Sequence, residues 1–471
     1  MTPAVKKWLK FVLRWGIAVF GIAFVLSNIS LRDRVLVLGT DDRGYPREVR
    51  LASPAPDKIE PQTELNYIEN SGGTVRGDQL VYRPDRKTVV LRDGRTVHLL
   101  ALDLSPDPIS PQVRRLLVGF PETPESTQRP WWIAPADVQG GFKLHVPSPL
   151  VDRGLATMVK QADGKYLWTA VMIFPIVFFI TAYRWQQLLK AVEIRLPFAR
   201  TFALNMVGCF YNSFLPGSTG GDVLKAYYAG KQTTHRARAW ISVIVDRSIG
   251  LIALVMLGGA MATYQWLSST VNDDATRKSM QVALGSYAIL GAVVLALAIY
   301  YVPALRRLSG LDFFLRKLPL QEKVKKATDT MDLYRRRPGL IVAALLATFP
   351  VHATVVVSAM LCGIAFDLPL AWWYYFVAVP VIVLSGSIPI SPQGAGVMEF
   401  FAIILTRRQG MTIGQAFALT MSIRVVQMLW NLVGGIFVLK GGYHAPTEQE
   451  AQAMNEDSGD EERREAVRAA L

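Results

Sequence analysis

Cysteine is nearly absent: the 471-residue chain has two, Cys209 and Cys362, both in apolar segments. That excludes a disulfide framework and a thiolate metal site. Histidine is scarce too. His98, His145, His235, His352 and His444 are scattered, with no metal-ligand spacing and no base cluster, so no metal and no cofactor are expected. Charged residues make up only 19% of the chain, against roughly a quarter in soluble domains, which argues against a purely soluble protein. Hydrophobic residues make up 51%, and mean hydropathy is +0.26, so disorder is excluded as the main state. Acid is the scarcer charge, with 37 Asp and Glu against 51 Lys and Arg and a net charge of +14. Spread among apolar runs, that excess reads as basic cytoplasmic loops of a membrane protein, not as a nucleic-acid surface.

Residues 1–30 place Lys6, Lys7, Lys10 and Arg14 ahead of an apolar run from Trp15 to Leu26. A cleaved signal peptide has this form. No clear A-x-A site follows, and Trp8 and Trp15 suit an interfacial belt, so the expectation is a retained signal anchor with a cytoplasmic N-terminus. Residues 31–165 differ in kind. They hold 19 Lys and Arg against 18 Asp and Glu and carry short alternating runs between Pro and Gly. Thr88 to Leu100 reads as two strands about an Asp93-Gly94 turn. Val35 to Leu38 and Phe142 to Val146 are further strand candidates. This β-rich insert lies between two membrane helices and is therefore expected outside the cytoplasm.

From 166 to 442 long apolar runs dominate. A hydrocarbon core of about 30 Å needs about 20 apolar residues per helix. Leu167–Tyr183, Ala239–Gln265, Val282–Val302, Gly339–Cys362 and Gln415–Leu439 meet that need. Two more runs, Phe202–Leu224 and Trp372–Leu405, are interrupted by Gly and Pro. Residues 443–471 form a polar, acidic tail expected in the cytoplasm.

The basic loops orient the array. Arg184, Lys190, Arg195 and Arg200 follow the second helix. Lys225, Lys231, Arg236 and Arg238 follow the first interrupted run, and Ala304–Pro338 holds ten Lys and Arg. All three stretches are cytoplasmic by the positive-inside rule. The segment from Arg200 to Lys225 thus begins and ends on one side. It reads as a helix that enters, breaks at Leu215-Pro-Gly and returns. The second interrupted run reads as its counterpart from the other side, although this leaves Arg407 and Arg408 outside. Two opposed re-entrant broken helices are the pattern of an inverted-repeat transporter.

Three constellations carry the chemistry. In the first, Pro216, Gly217, Gly220 and Gly221 follow Asn212, stop the helix and free backbone polar groups. At membrane depth such groups must face protein or a wet cavity. A helix starting near Asp222 offers N–H groups to an anion, and Lys225 lies one turn along. Read blandly, the same residues are a cytoplasmic loop between short helices. The second is Asp246-Arg247 inside an apolar helix, where charge is costly unless paired or wet. Arg247 suits bidentate phosphate binding, with Asp246 pairing it or Lys225. The plain alternative is a pair that snorkels at the helix end. The third runs through Pro389, Ser391, Gly394 and Gly396 to Glu399, which is either a site acid or a cap on the helix start. Arg424 and Asn431, seven residues apart, share a helix face. Arg184 reads as an interface anchor, with lipid-phosphate contact as the alternative.

Four motifs in order carry a family resemblance: Y-R-W-x-x-L-L from Tyr183, N-x-x-L-P-G-x-x-G-G-D from Asn212, D-R-x-x-G-L from Asp246 and P-x-S-x-x-G-x-G-x-x-E from Pro389. Together they resemble the transmembrane region of lysylphosphatidylglycerol synthases, over about Leu167–Lys440 and the first helix. The resemblance implies a domain similar to a lipid flippase. Asn212, Pro216, Gly217, Gly220, Gly221, Asp222, Asp246, Arg247, Pro389, Gly394, Gly396 and Glu399 are its matched positions. The chain departs from the pattern at Lys225 and at Met398, where the family usually has arginine, and in the β-rich insert. About thirty residues follow the last helix. That leaves no room for an aminoacyl-transferring domain, and the expectation is a protein that is not an enzyme.

The fold class read from the sequence is mainly α. It is a polytopic helical membrane protein with about seven full spans, two opposed re-entrant broken helices and a small β-rich extracytoplasmic insert. It is expected in the inner or plasma membrane, as a flippase-type transporter of a membrane phospholipid or other polar lipid. Lys225 and Arg247 are expected to receive the phosphate, while Asp222, Asp246 and Glu399 balance their charge or hold a cationic headgroup. The alternatives are an anchored scaffold whose β domain binds a partner, and a membrane enzyme acting on a lipid-linked phosphate. No nucleic acid is expected. A homo-oligomer and an extracytoplasmic partner are left open.

Overall fold

A computed structural model describes residues 30–38, 45–56, 58–68, 72–84, 88–104, 113–119, 129–142, 150–214, 220–269, 274–309, 321–388, 392–441 and 443. The expected signal anchor and acidic tail lie outside the described residues, as do Pro216, Gly217, Pro389 and Ser391.

The first part of the described chain is all β. Its strands are β1 (Arg34–Val37), β2 (Arg47–Arg50), β3 (Glu64–Tyr67), β4 (Gly73–Arg76), β5 (Leu80–Val81), β6 (Thr88–Val90), β7 (Thr96–Leu104), β8 (Val113–Gly119), β9 (Trp131–Ile133) and β10 (Val151–Asp152). One antiparallel sheet runs β10-β1-β2, with β5 also on β1. A second is the β3-β4 hairpin, and a third runs β6-β7-β8-β9. The expected hairpin is present: Val89 faces Val97, and Gly94 turns the chain at φ +84°. Phe142 lies in no strand, and the rest of that candidate falls outside the described residues. The two ends of the β region are stitched together. Arg34 pairs with Asp152 in register, and buried Asp33 accepts N–H bonds from Ala55 and Gly154, each at 2.8 Å. The described chain therefore enters and leaves the β region at one place.

The helices are α1 (Leu155–Gln161), α2 (Gly164–Ile173), α3 (Pro175–Ala191), α4 (Phe198–Phe214), α5 (Gly220–Gly230), α6 (Arg236–Ser268), α7 (Asp274–Tyr301), α8 (Pro303–Leu308), α9 (Gln321–Arg335), α10 (Pro338–Ala365), α11 (Trp372–Gly386), α12 (Val397–Thr406) and α13 (Ile413–Gly441). Among the described residues five stretches are long and apolar enough to cross a membrane: Gly164–Ala191, Arg236–Ser268, Thr276–Tyr301, Pro338–Ala365 and Ile413–Gly441. They coincide with the five uninterrupted runs read from the sequence. The two interrupted runs are helical pairs, α4 with α5 and α11 with α12. In α7 only 11% of the most apolar window is buried, and Leu284, Val294 and Leu295 stand exposed. A water-facing helix needs a polar face, and α7 lacks one, so its surroundings must be hydrocarbon.

The chain divides into two compact units. Unit 1 comprises Met1–Phe174, Leu254–Ala298 and His352–Val426; unit 2 comprises Pro175–Ala253, Ile299–Val351 and Gln427–Leu471. The helical core of unit 1 centres on Tyr374, Tyr375, Ile382 and Leu419, and that of unit 2 on Trp185, Leu188, Leu189 and Leu204.

Candidate functional site

In unit 2 the site begins with two helices that meet backbone to backbone. A Cβ at Gly221 would lie 1.8 Å from the Gly208 carbonyl oxygen, so α4 and α5 approach this closely only because residue 221 has no side chain. Asn212 exploits that closeness: its Oδ1 accepts the Gly221 N–H at 2.8 Å, satisfying a donor that the helix start leaves orphaned. α13 reaches α4 in the same way, since a Cβ at Gly434 would lie 2.3 Å from the Met206 carbonyl oxygen.

Asp246 and Arg247 are neighbours on α6, about 100° apart around the helix axis, so they meet different partners. Asp246 accepts from Arg184 Nε at 2.8 Å and from Lys225 Nζ at 3.2 Å. Arg184 also donates to Thr348 Oγ1 at 2.7 Å. Lys225 donates to Asn205 Oδ1 at 3.0 Å, and its ammonium lies 4.1 Å from the centroid of the Trp185 ring. Trp185 is held in turn by Ser242 Oγ at 3.2 Å. Arg184 is thus the buried counter-charge of Asp246. The interface-anchor reading gives way, because the Arg184 side chain is only 6% exposed. Lys225 is equally buried and fully engaged. Two cations face one anion here, which leaves one excess positive charge in a buried site.

Arg247 turns the other way, to an ion pair with Asp222, the third residue of α5. These two side chains are 29% and 24% exposed. Among the charged positions expected in this unit, they form the more exposed ion pair.

In unit 1 the second break is built from left-handed backbone. Gln393, Gly394 and Gly396 have φ of 49°, 68° and 83°. A Cβ at Gly394 would lie 2.4 Å from Gly386 Cα. Glu399 closes the turn onto α12, accepting the Gly396 N–H at 2.7 Å. It also accepts from Thr420 Oγ1 at 3.2 Å. Arg424 grips it with two bonds, at 2.6 and 3.0 Å. The same guanidinium donates to the carbonyls of Gln393 and Gly394, at 3.3 and 3.1 Å. Glu399 is therefore both a helix cap and a buried, paired acid. Asn431, on the same helix as Arg424, belongs to unit 2 and donates to Ser213 Oγ at 3.0 Å.

The two constellations share one plan. In each, an acid is the third residue of a short helix after a break, and an arginine 25 residues later reaches back to it. Arg247 is twelfth in the helix that starts at Arg236, and Arg424 is twelfth in the helix that starts at Ile413. The offset between the pairs is 177 residues (222 to 399, 247 to 424). At that offset Lys225 and Asp246 correspond to Ala402 and Ile423, which are buried and apolar. The charged trio thus belongs to unit 2 alone. Sequence reasoning missed Asn205, Thr348 and Thr420, and it ranked Arg424 too low. The equal spacing of acid and arginine was the available signal. Among the described residues no three His, Cys, Asp or Glu come together to hold a metal.

The pattern that defines the lysylphosphatidylglycerol synthase TM region matches residues 153–435. That match begins where the β region ends. The chain is 21% identical over 313 residues to a UPF0104 membrane protein of Pyrococcus horikoshii, covering 62% of this chain and 91% of that protein. It is 23% identical over 284 residues to a UPF0104 membrane protein of Methanothermobacter thermautotrophicus, covering 57% and 82%.

Proposed function

Because this multi-pass membrane protein belongs to the lysylphosphatidylglycerol synthase TM region family, we propose that it binds a polar phospholipid and carries the headgroup between leaflets. The membrane is the inner or plasma membrane. The basic stretches before and after α6 and α7 face the cytoplasm, and the β insert faces outward. The observation that carries this reading is the half-open Asp222–Arg247 pair beside the broken helix of unit 2.

A phosphate displaces Asp222 from Arg247 and gains a bidentate cation in its place. Exchanging one anion for another costs less than stripping a bare arginine. The N–H groups at the start of α5 add positive potential on the same side. Arg184, Asp246 and Lys225 lie beneath. They lock α3, α5 and α6 together, and their excess positive charge favours an anion nearby. In unit 1 the Arg424–Glu399 grip holds the second break in shape.

Native mass spectrometry of protein extracted gently from its own membrane tests the reading. Wild type should retain one phospholipid class at the Arg247 site, and Arg247→Ala should lose that bound copy. Asp222→Asn should hold it more tightly, because Arg247 no longer has to leave a carboxylate. Retention indifferent to both changes contradicts the reading.

A further inference from the structure

Unit 1 contains a groove that the headgroup path does not use. It has a volume of about 290 Å³ and lies among α6, α7, α11 and α12. That is close to the lower end of small-molecule sites, about 300 Å³. Its lining is apolar apart from Lys278, Gln281 and Ser286, and Lys278 is the one charged side chain in it. Glycine shapes the floor. A Cβ at Gly258 would lie 2.9 Å from Pro380, so α6 and α11 touch there; a Cβ at Gly285 meets nothing within 4 Å and would stand in open space.

The dimensions point to an occupant. Along α7 the lining runs from Lys278 to Ile289, which is about 16 Å at 1.5 Å per residue. One leaflet of hydrocarbon is about 15 Å, half of a core of about 30 Å. Lys278 stands at one end, two residues into the span that starts at Thr276, where headgroups sit. Ile289 is 45% exposed on a helix whose surroundings are hydrocarbon, so the groove is open to bilayer chains.

We infer that this groove is a binding site for an anionic glycerophospholipid, with one acyl chain along Gly285 and the phosphate at Lys278. The inference stands on unit 1 alone and does not rest on the Arg247 reading. A chain that fills the groove replaces a void with contacts, and Lys278 adds selectivity for negative headgroups.

The test uses the full-length protein in nanodiscs of equal phosphatidylglycerol and phosphatidylcholine, extracted for native mass spectrometry. Wild type should retain phosphatidylglycerol in preference by about five-fold, the factor that one lysine near an anionic surface supplies. Lys278→Gln should retain lipid without the preference. Gly285→Phe should lose one bound phosphatidylglycerol that Arg247→Ala keeps, whether or not Arg247→Ala loses a second lipid from its own site. Should Gly285→Phe fail to fold, phosphatidylglycerol with a photoreactive acyl chain replaces that arm. Its label should appear on peptides containing residues 278–289 or 401–405 of the wild type. Phosphatidylglycerol retention unchanged in both groove variants overturns the inference. So does labelling confined to other peptides, and so does loss of this lipid in Arg247→Ala alone.

Discussion

Arg247 reaches back 25 residues to Asp222 at the start of the preceding short helix, and the pair remains partly open. Arg424 reaches back by the same count to Glu399, but there the pair is closed, at 12% and 2% exposure. The same device thus has two settings. In unit 2 the arginine pairs with Asp222 and keeps an accessible face; in unit 1 it also binds two loop carbonyls. The Arg247 pair is the more accessible of the two, and this is why the proposed headgroup contact is placed there and not at Arg424.

Asp246 should be indispensable to stability, while Lys225 should not. Asp246→Ala leaves two buried cations without their anion, at a cost of about 3–5 kcal/mol. Lys225→Met removes the excess charge and leaves Arg184 and Asp246 paired at 2.8 Å, so its cost should be far smaller. Thermal unfolding in detergent should place Asp246→Ala well below wild type and Lys225→Met close to it. Equal losses would show that Lys225 is a necessary partner of Asp246.

Arg424→Ala strands a carboxylate that is only 2% exposed. The expected loss is again about 3–5 kcal/mol, because the charge stays buried without its partner. Removing Glu399 as well, in Arg424→Ala with Glu399→Ala, should recover part of that loss. A double-mutant cycle on unfolding midpoints checks this; additive effects would mean that the two side chains are not coupled.

Gly221→Ala should disrupt the α4–α5 hairpin, since its Cβ would meet a carbonyl oxygen at 1.8 Å. Overpacking of this kind costs about 1–3 kcal/mol or more. Gly291→Ala is the control. Its Cβ meets nothing within 4 Å, and alanine in a helix gains up to about 1 kcal/mol over glycine. Opposite shifts of the unfolding midpoint are expected, and a tolerated Gly221→Ala would refute the close approach.

Asp152 gives the β insert a pH dependence. Burial pushes its carboxyl above the usual value, outweighing the pull of Arg83 and the hydrogen bond from Thr412. A raised folded-state value means that the group's contribution is fully present below its unfolded value and is lost as pH rises through the folded one. Asp152→Asn does not titrate. It should match wild type in acid and unfold later than wild type at neutral pH. A difference between the two proteins that does not change with pH would contradict this.

Of the roughly seven spans expected, five were legible among the described residues, because an apolar run of helical length in a bilayer has little else to become. The Asp93-Gly94 hairpin was legible because a turn that needs positive φ names its own residues. The partners of Asp246 were not legible. Arg184 lies 62 residues away, and no local rule distinguishes it from a snorkelling interface arginine. Helical geometry did contain half of the answer: adjacent residues diverge by about 100°, so Asp246 and Arg247 could not share one partner. The helix-cap reading of Glu399 was legible because the dipole at a helix start favours an acid, and its carboxylate accepts the Gly396 N–H. Arg424 was noted only for sharing a helix face with Asn431, and its partner lies 25 residues back, where no local rule points.

The central claim is that Arg247 receives a lipid phosphate on its way across the bilayer. The most direct measurement is transbilayer movement of a headgroup-labelled anionic phospholipid in proteoliposomes, comparing wild type with Arg247→Ala and Arg247→Lys. The account predicts movement in wild type, at least a ten-fold loss in Arg247→Ala with unchanged unfolding midpoint, and partial retention in Arg247→Lys, which keeps the charge but not the fork. Equal rates in wild type and Arg247→Ala, with both proteins folded, would contradict it.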